Sequence, residues 1–221
     1  MNPAYFLTGT DTEIGKTFVT CALLHRARQL GICAAGMKPV AAGTDNEGRN
    51  DDVERIRAAN GLALPDAVIN PYCFAAPVAP HLAAAEEGRR IDFAPILTAC
   101  ASARARVGLL IVEGVGGFRV PLDVDRDSAD LAVALGLPVI LVVGLRLGCI
   151  NHALLSAEAI VARGLTLAGW VANTLEPNMA RIGQNIETLR ARLPAPLLGA
   201  LPWVPGSEPA TVADRLTLPT L

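Results

Sequence analysis

The chain alternates short, continuously apolar runs with segments of helical period, and this alternation restricts the possible folds more than any other feature. The candidate strands are "AYFLT" (4–8), "CAAGMKPV" (33–40), "VGLLIVE" (107–113), "PVILVVG" (138–144), "LAGWVAN" (167–173) and "PLLGALPW" (196–203). Unbroken apolar runs are typical of parallel strands that are buried on both faces. Helical stretches lie between them at 16–31, 128–136 and 151–164. Repeated strand–helix–strand units predict right-handed crossovers and a three-layer α/β/α domain with a mainly parallel central sheet.

Length and composition predict one folded unit. A chain of 221 residues is long enough for a sizeable core, and we expect residues 1–221 to form a single domain. Apolar residues make up 52% and charged residues 18%, which excludes an intrinsically disordered chain. The proline-rich stretch 65–80 is too apolar for a linker and is predicted to be an ordered loop, whereas the segment after Pro205 carries little signal.

Charge and cysteine content restrict the partners and the compartment. A formal net charge of −2 argues against a nucleic-acid-binding surface, which needs a basic excess. No apolar stretch reaches the roughly 18 residues that a membrane span needs. The five scattered cysteines include no Cys-x-x-Cys pair, and the N-terminus has no basic and apolar leader. We therefore expect a cytoplasmic protein that contacts neither nucleic acid nor membrane.

The segment "LTGTDTEIGKTF" (7–18) follows the first apolar run and opens a helical stretch, as a phosphate-binding loop does. Five residues separate Gly9 from Gly15, where the usual loop has four, and the loop carries the acids Asp11 and Glu13. Backbone N–H groups and the helix N-terminus would hold phosphate. In this loop type Lys16 reaches the terminal phosphates and the Thr17 hydroxyl binds Mg²⁺.

Polar residues at the other strand ends are further candidates, because ligands of such sheets bind at the carboxyl ends of the strands. Glu113 follows five apolar residues and precedes a glycine-rich turn, which favours a Walker-B-like role toward Mg²⁺. Lys38, taken alone, is interpreted as a lysine that snorkels from a strand end. Asp51 and Asp52 either provide the N-cap and a first-turn acid of the next helix or supply metal ligands. Asn173 either contacts a nucleotide base or caps a turn. The three histidines share no metal-ligand spacing.

Several motifs together resemble the dethiobiotin synthetases, in order from the N-terminus to about Val204. They are "TGTDTEIGKT", "KPVAAG", "VEGVGG", "PVILVVGLRLGCINHALL", "AGWVAN" and "PAPLLGALPW". The resemblance implies a P-loop NTPase-like domain that uses ATP and Mg²⁺ to close a cyclic urea on 7,8-diaminopelargonate with CO₂. It implies a carbamate, then a carbamic-phosphoric mixed anhydride, then attack by the second amine. It also implies a homodimer with the substrate site at the subunit interface.

The resemblance assigns roles to residues of this chain. Lys38 would stabilise carbamate and phosphate, and Lys16 and Thr12 would share the catalytic site. Mg²⁺ would be held by Thr17, Asp52 and Glu113, with Asp51 as the alternative to Asp52. The residues implied to bind the nucleotide are Glu13, Ile14, Gly15, Lys16, Thr17, Phe18, Asp52, Glu113, Gly114, Val115, Gly116, Asn173, Thr174, Pro202, Trp203 and Val204.

The chain departs from the family pattern at two positions. Ala42 stands where the family commonly has a serine that contacts substrate. No tyrosine occurs in the 180s, where some members place one, and Asn185 falls at about that position. Both departures concern substrate contacts rather than phosphoryl transfer.

The helix start within "GLRLGCINHALL" (144–155) is predicted to receive the substrate carboxylate, and the resemblance implies that it serves the active site of the neighbouring subunit. A helix N-terminus presents unpaired N–H groups and a partial positive charge, which suits a carboxylate. Arg146 either assists this contact or is an ordinary surface arginine.

Two alternatives belong to other classes. A P-loop switch ATPase of the partitioning or carrier type would place a signature lysine five residues before Lys16, where this chain has Asp11. A cobyrinate-type amide-forming ligase would carry a glutaminase domain, for which the chain is too short. ATP hydrolysis that ignores diaminopelargonate and bicarbonate would favour the switch ATPase.

Overall fold

A computed structural model describes residues 2–219. Its strands are β1 (Ala4–Gly9), β2 (Ala34–Met37), β3 (Val40–Ala42), β4 (Tyr72–Phe74), β5 (Leu109–Glu113), β6 (Val139–Leu145), β7 (Leu167–Thr174) and β8 (Leu197–Leu201). Six of them form one sheet in the order β2-β5-β1-β6-β7-β8, and every neighbouring pair is parallel. The prediction of a mainly parallel central sheet is confirmed.

Helices cover both faces of this sheet. They are α1 (Lys16–Gln29), α2 (Asp51–Ala59), α3 (Asp66–Ile69), α4 (Pro80–Glu86), α5 (Phe93–Arg104), α6 (Ser128–Leu135), α7 (Cys149–Ala162), α8 (Ile182–Arg192) and a 3-10 helix (Pro209–Arg215). The connection from β1 to β2, which contains α1, runs one way across the sheet. The connection from β2 to β5, which contains α5, and the later connections run the other way. Right-handed crossovers therefore place α1 on one face and α5 to α8 on the other. Contacts of α1 with α2 and the 3-10 helix, and of α7 with α8, agree with the predicted three layers.

The core explains why the strands read as unbroken apolar runs. Every residue of β1, β5 and β6 is buried, so these strands have no solvent-facing side. The largest fully buried side chains include Trp170, Tyr5 and Phe6. Within residues 2–219, no helix has both the length and the apolar character to cross a membrane.

The predicted strand 33–40 is wrong as a single element. It divides into β2 and β3 around Lys38 and Pro39. Pro39 has no N–H for a sheet ladder, and the Lys38 N–H donates to the Ile69 carbonyl at 2.8 Å instead. The chain thus leaves the main sheet at Lys38, which places that side chain at the sheet's carboxyl end.

The prediction that 65–80 is a loop is also wrong. This stretch contains α3 and β4, and it ends at the first residue of α4. Strand β4 pairs in parallel with β3. A second apolar cluster contains Val40 of β3, Phe74 of β4 and Ile91. Of the apolar residues in this stretch, Tyr72, Phe74 and Ala76 belong to this cluster. Val68, Ile69 and Cys73 pack in the main core instead.

The direction in which the connections cross the sheet reverses beside the phosphate loop. Strands β1 and β5 are neighbours in the sheet, although their following connections diverge, and Leu7 pairs in register with Glu113. The loop after β1 and the carboxylate at the end of β5 therefore open into the same crevice.

Candidate active site

The phosphate loop is clamped at its last glycine. Gly15 has a φ of 82°, in the left-handed region, and it caps the start of α1. A Cβ added to Gly15 would lie 2.3 Å from Asn173 Nδ2, which donates a hydrogen bond of 2.8 Å to the Ile14 carbonyl. Only glycine adopts this backbone conformation readily and also leaves room for the Asn173 amide. Asn173 thus holds the loop from the end of β7, a role that neither of its predicted interpretations included.

Lys16 is drawn back onto its own loop. Its Nζ donates to the Asp11 carbonyl at 2.8 Å, and the residue is buried. Burial lowers the pKa of Lys16 to about 8; the Lys38 charge adds to this effect, while Glu113 opposes it. The ammonium lies where terminal phosphates would meet it.

A buried carboxylate joins the loop helix to β5. Glu113 is 0% exposed. Its Oε1 accepts hydrogen bonds from the Thr17 hydroxyl at 2.6 Å and from Lys38 Nζ at 3.0 Å, and its Oε2 accepts one from the Thr20 hydroxyl at 2.6 Å. The strand-end glutamate singled out in the sequence is therefore the hub of a polar cluster beneath the loop.

Helix α2 brings the second acid to this cluster. Asn50, rather than either aspartate, is the N-cap, and its side chain accepts from the Val53 N–H. Asp52 then forms an ion pair with Lys38, while Asp51 is exposed and faces Arg55. The expectation that an aspartate is the N-cap is corrected, whereas both aspartates do lie in the first turn of α2. The geometry places Asp52, not Asp51, at the site.

Lys38 lies between two carboxylates and is 5% exposed, so it does not snorkel. Burial acts to lower the pKa of Lys38, but the charges of Glu113 and Asp52 outweigh it and raise that pKa. Burial acts to raise the pKa of Asp52, but the Lys38 charge outweighs burial and lowers that pKa. The lysine is thus held protonated and the aspartate ionised.

The acids of the phosphate loop have separate surroundings. The Asp11 carboxylate pairs with Arg146 and accepts the Thr12 N–H at 2.8 Å. Glu13 is exposed and has a φ of 55°. Arg146 is therefore partly exposed and ion-paired with an acid of the phosphate loop.

A cavity of about 820 Å³ lies over these groups. Ten of the predicted site residues line it: Thr12, Glu13, Gly15, Lys16, Thr17, Phe18, Lys38, Asp52, Val115 and Gly116. Ile14 points into the core against Gly144, and Gly114 is buried against Phe6. Glu113 lies under the cavity floor and meets it through Thr17 and Lys38.

A second cavity, of about 310 Å³, gathers the predicted residues from the far strands. Thr174, Pro202 and Trp203 line it together with Ile182 of α8. Val204 is exposed and lines neither cavity. The predicted nucleotide residues therefore fall in two places, which Asn173 connects through its hydrogen bond to the phosphate loop.

Comparison with known proteins decides the family. A family model described as an AAA domain matches residues 3–211. The ATP-dependent dethiobiotin synthetase BioD of Aromatoleum aromaticum is 61% identical over 219 residues, covering 98% of this chain and 97% of that protein. The chain belongs to the dethiobiotin synthetase family. The synthetase of the same name from Xanthomonas axonopodis pv. citri is 51% identical over 221 residues, with 99% of each chain covered.

Two solved structures of low sequence identity share the fold of this chain. A ParA family ATPase of Chlorobium tepidum has a TM-score of 0.57 at 12% identity and covers 96% of both chains. The septum site-determining protein MinD of Pyrococcus horikoshii has a TM-score of 0.57 at 13% identity, covering 96% of this chain and 93% of its own. These likenesses show the P-loop NTPase fold alone.

One member of the cluster was missed in the sequence. Thr20 lies three residues after Thr17, so both hydroxyls are on the same face of α1. The spacing was visible, but it does not indicate that this face meets the end of β5. At the two positions that depart from the dethiobiotin synthetase pattern, Ala42 lines the large cavity and Asn185 lies on α8.

Proposed function

We propose that this chain catalyses the ATP-dependent closure of a cyclic urea on 7,8-diaminopelargonate with CO₂, which makes it a cyclo-ligase that forms dethiobiotin. The observation that carries the proposal is its 61% identity, along nearly the full length, to a protein of that name. The site supports the chemistry, because two lysines and two acids converge beside a phosphate loop.

The reaction divides into three steps. One substrate amine attacks CO₂ and forms a carbamate with loss of a proton. A carbamate oxygen attacks the terminal phosphorus of ATP, and ADP leaves. The second amine then attacks the carbonyl carbon and loses a proton, and phosphate leaves with the carbamate oxygen.

Lys16 and Lys38 supply the positive charge that these steps need. Lys16 and the loop N–H groups would bind the phosphates that bear developing charge. Lys38, held protonated by its two acids, would neutralise the carbamate while its oxygen attacks. Thr12 lines the cavity on the side of the loop and would contact the substrate there.

The cluster fits a magnesium ion in its donor chemistry. Thr17, Asp52 and Glu113 offer one hydroxyl and two carboxylates, which are the hard oxygen ligands that Mg²⁺ takes beside phosphate oxygens and water. When bound, the ion would neutralise phosphate charge in the transfer step. Because the Lys38 ammonium already bridges both acids, it would have to swing toward the cavity when they take a second cation.

The second cavity is the proposed place for the nucleotide base. Thr174 and the chain from Pro202 to Val204 would surround the base, and Trp203, 44% exposed, offers an apolar face. Asn173 would connect base recognition to the phosphate loop, since its amide already holds the Ile14 carbonyl.

We further propose a single cytoplasmic domain that acts as a homodimer, with each substrate site completed by the neighbouring subunit. Leu147 is 96% exposed beside the start of α7, and Leu155 on that helix is 57% exposed, which fits a partner-facing surface. The five cysteines, all among the described residues, are free thiols, as a reducing compartment favours. The termini of the proposed domain, Met1, Thr220 and Leu221, lie outside the described residues.

ATP turnover with and without the two substrates separates this proposal from a switch ATPase. We expect ADP release to depend on both diaminopelargonate and bicarbonate, with one dethiobiotin formed per ADP. Hydrolysis at an equal rate without either substrate would contradict the proposal. The switch ATPase lacks support in one specific respect, because Asp11 occupies the position of its signature lysine and pairs with Arg146.

A further inference from the structure

The second oxygen of the buried Glu113 carboxylate depends on one side chain. Among residues 2–219, Oε2 has a single hydrogen bond, from the Thr20 hydroxyl at 2.6 Å. Oε1 receives the Thr17 hydroxyl and the Lys38 ammonium. Thr20 is itself 0% exposed, so its hydroxyl is not in contact with solvent that could replace it as a donor. A buried carboxylate oxygen without a partner is strongly unfavourable.

Thr20 also fixes the carboxylate relative to the phosphate loop. It lies on α1, whose first residue is Lys16 and whose second is Thr17. A rigid helix therefore carries the residues that face phosphate and the residue that binds Oε2. Glu113 comes from the neighbouring layer, so the Thr20 contact ties the sheet to the loop helix at the site.

We propose that Thr20 is a positioning residue of the phosphoryl-transfer site: its hydroxyl holds Glu113 Oε2 so that Oε1 is presented to Thr17, Lys38 and the proposed metal. This inference rests on the proposed function for the role of Glu113. Without the hydroxyl, the carboxylate would rotate toward another donor, and Oε1 would move away from Thr17 and Lys38.

The two branches of Thr20 have separable roles. Its methyl group packs near Gly36, since a Cβ added there would lie 3.4 Å from Thr20 Cγ2. The methyl therefore fills core space, while the hydroxyl binds the carboxylate. Thr20→Val keeps the methyl and removes the hydroxyl, whereas Thr20→Ser keeps the hydroxyl and removes the methyl.

Tyr5→Phe provides the control. Tyr5 is 1% exposed on strand β1, does not line the large cavity, and donates its hydroxyl to the Pro219 carbonyl at 3.1 Å. The substitution removes a hydroxyl from a core residue without touching Glu113. We expect it to leave kcat and the magnesium dependence near those of the unaltered chain.

The experiment measures kcat, the Mg²⁺ concentration at half-maximal rate, and the gain in ADP affinity on adding Mg²⁺, by calorimetry. We expect Thr20→Val to lower kcat by about 10- to 100-fold and to reduce the magnesium-dependent gain in ADP affinity, as loss of a residue behind a metal ligand does. Thr20→Ser should retain most of both while lowering Tm. If Thr20→Val does not fold, Thr20→Ala against Thr20→Ser isolates the same hydroxyl.

Two results would overturn the inference. One is unchanged kcat and magnesium dependence in the hydroxyl-free variant; the other is equal loss in Thr20→Ser, which would assign the effect to core packing. Failure of the proposed function is distinguishable, because the unaltered chain would then form no dethiobiotin while calorimetry still reports the effect of Thr20 on magnesium-dependent ADP binding.

Discussion

Lys38 is the residue whose surroundings most directly connect geometry to chemistry. It is buried between Asp52 and Glu113, and these charges raise its pKa. We expect Lys38→Ala to lower kcat by about 10²- to 10³-fold, as loss of a preorganised charge at a reacting oxygen does. ADP affinity should change little, since in the proposed site Lys16 and the loop would bind the phosphates. Steady-state kinetics and calorimetry would measure the two effects, and a variant that keeps most of its kcat would remove Lys38 from the proposed chemistry.

The Asp11–Arg146 pair gives a second prediction at this scale. Removing Arg146 leaves an uncompensated carboxylate in the phosphate loop. We expect Arg146→Met to raise the KM for ATP by about threefold, a modest effect because both side chains are partly exposed to solvent and salt. Asp11→Asn in the same chain should restore KM, since it removes the acid that Arg146 neutralises. A double variant as impaired as Arg146→Met alone would contradict this charge argument.

The start of α1 is the proposed phosphate-binding element. Gly15→Ala would combine a left-handed backbone with a Cβ placed 2.3 Å from Asn173 Nδ2. We expect it to abolish measurable ATP binding, because the loop must shift to relieve the clash. Gly31→Ala is the matched control, since Gly31 has a φ of 75° with nothing within 4 Å of the added Cβ. That control should cost only roughly 1–2 kcal/mol of stability and leave ATP binding intact. Equal ATP affinities in the two variants would show that the loop does not need Gly15.

The N-cap of α2 gives a prediction about placement of Asp52. Asn50 accepts the Val53 N–H and donates to the Gly43 carbonyl at 2.7 Å, so it fixes where the helix begins. We expect Asn50→Ala to lower the free energy of unfolding by about 1–2 kcal/mol and to raise the half-saturating Mg²⁺ concentration. Asn50→Ser should recover most of the stability as an alternative cap. Chemical denaturation and Mg²⁺ titration of activity would measure both, and an unchanged Mg²⁺ requirement would separate the cap from the site.

The elements differ in how far the sequence determines them. The buried strands β1, β5 and β6 were predictable because parallel strands covered on both faces are apolar throughout. The stretch 33–40 divides because the Lys38 N–H donates to the Ile69 carbonyl, an acceptor that is distant in the sequence. Likewise, β4 exists through its pairing with β3. Short strands that form by distant pairing leave no periodic pattern of their own.

At the scale of the whole molecule, the strand order explains which site residues could be foreseen. Glu113 ends a strand, and Lys16 and Lys38 come after strands. Because ligands of parallel sheets bind at the carboxyl ends of the strands, these residues are expected at one edge before any distance is known. Thr20 lies within a helix, and only the packing of α1 against β5 brings it to the carboxylate. The clamp from Asn173 likewise depends on the register of β7 beside β6.

The proposed dimer makes a prediction of its own. Ile150 is the second residue of α7, where proline removes a backbone donor yet is tolerated in a first helical turn. Mixed dimers of Lys38→Ala and Ile150→Pro chains should regain activity if the substrate carboxylate is held by the neighbouring subunit, since one site then has both native residues. Mixed dimers as inactive as their parents would place the carboxylate contact within one chain.

The central claim is that this chain transfers the terminal phosphate of ATP to a carbamate and closes the ring by displacing it. The direct test is turnover of ATP and 7,8-diaminopelargonate with ¹⁸O-labelled bicarbonate in ordinary water, stopped before the label exchanges. Mass spectrometry would follow both dethiobiotin and inorganic phosphate. We predict one ¹⁸O atom in each phosphate released, because the carbamate oxygen leaves with it. Unlabelled phosphate, with or without ring formation, would contradict the account, since water and not the carbamate would then have accepted the phosphoryl group.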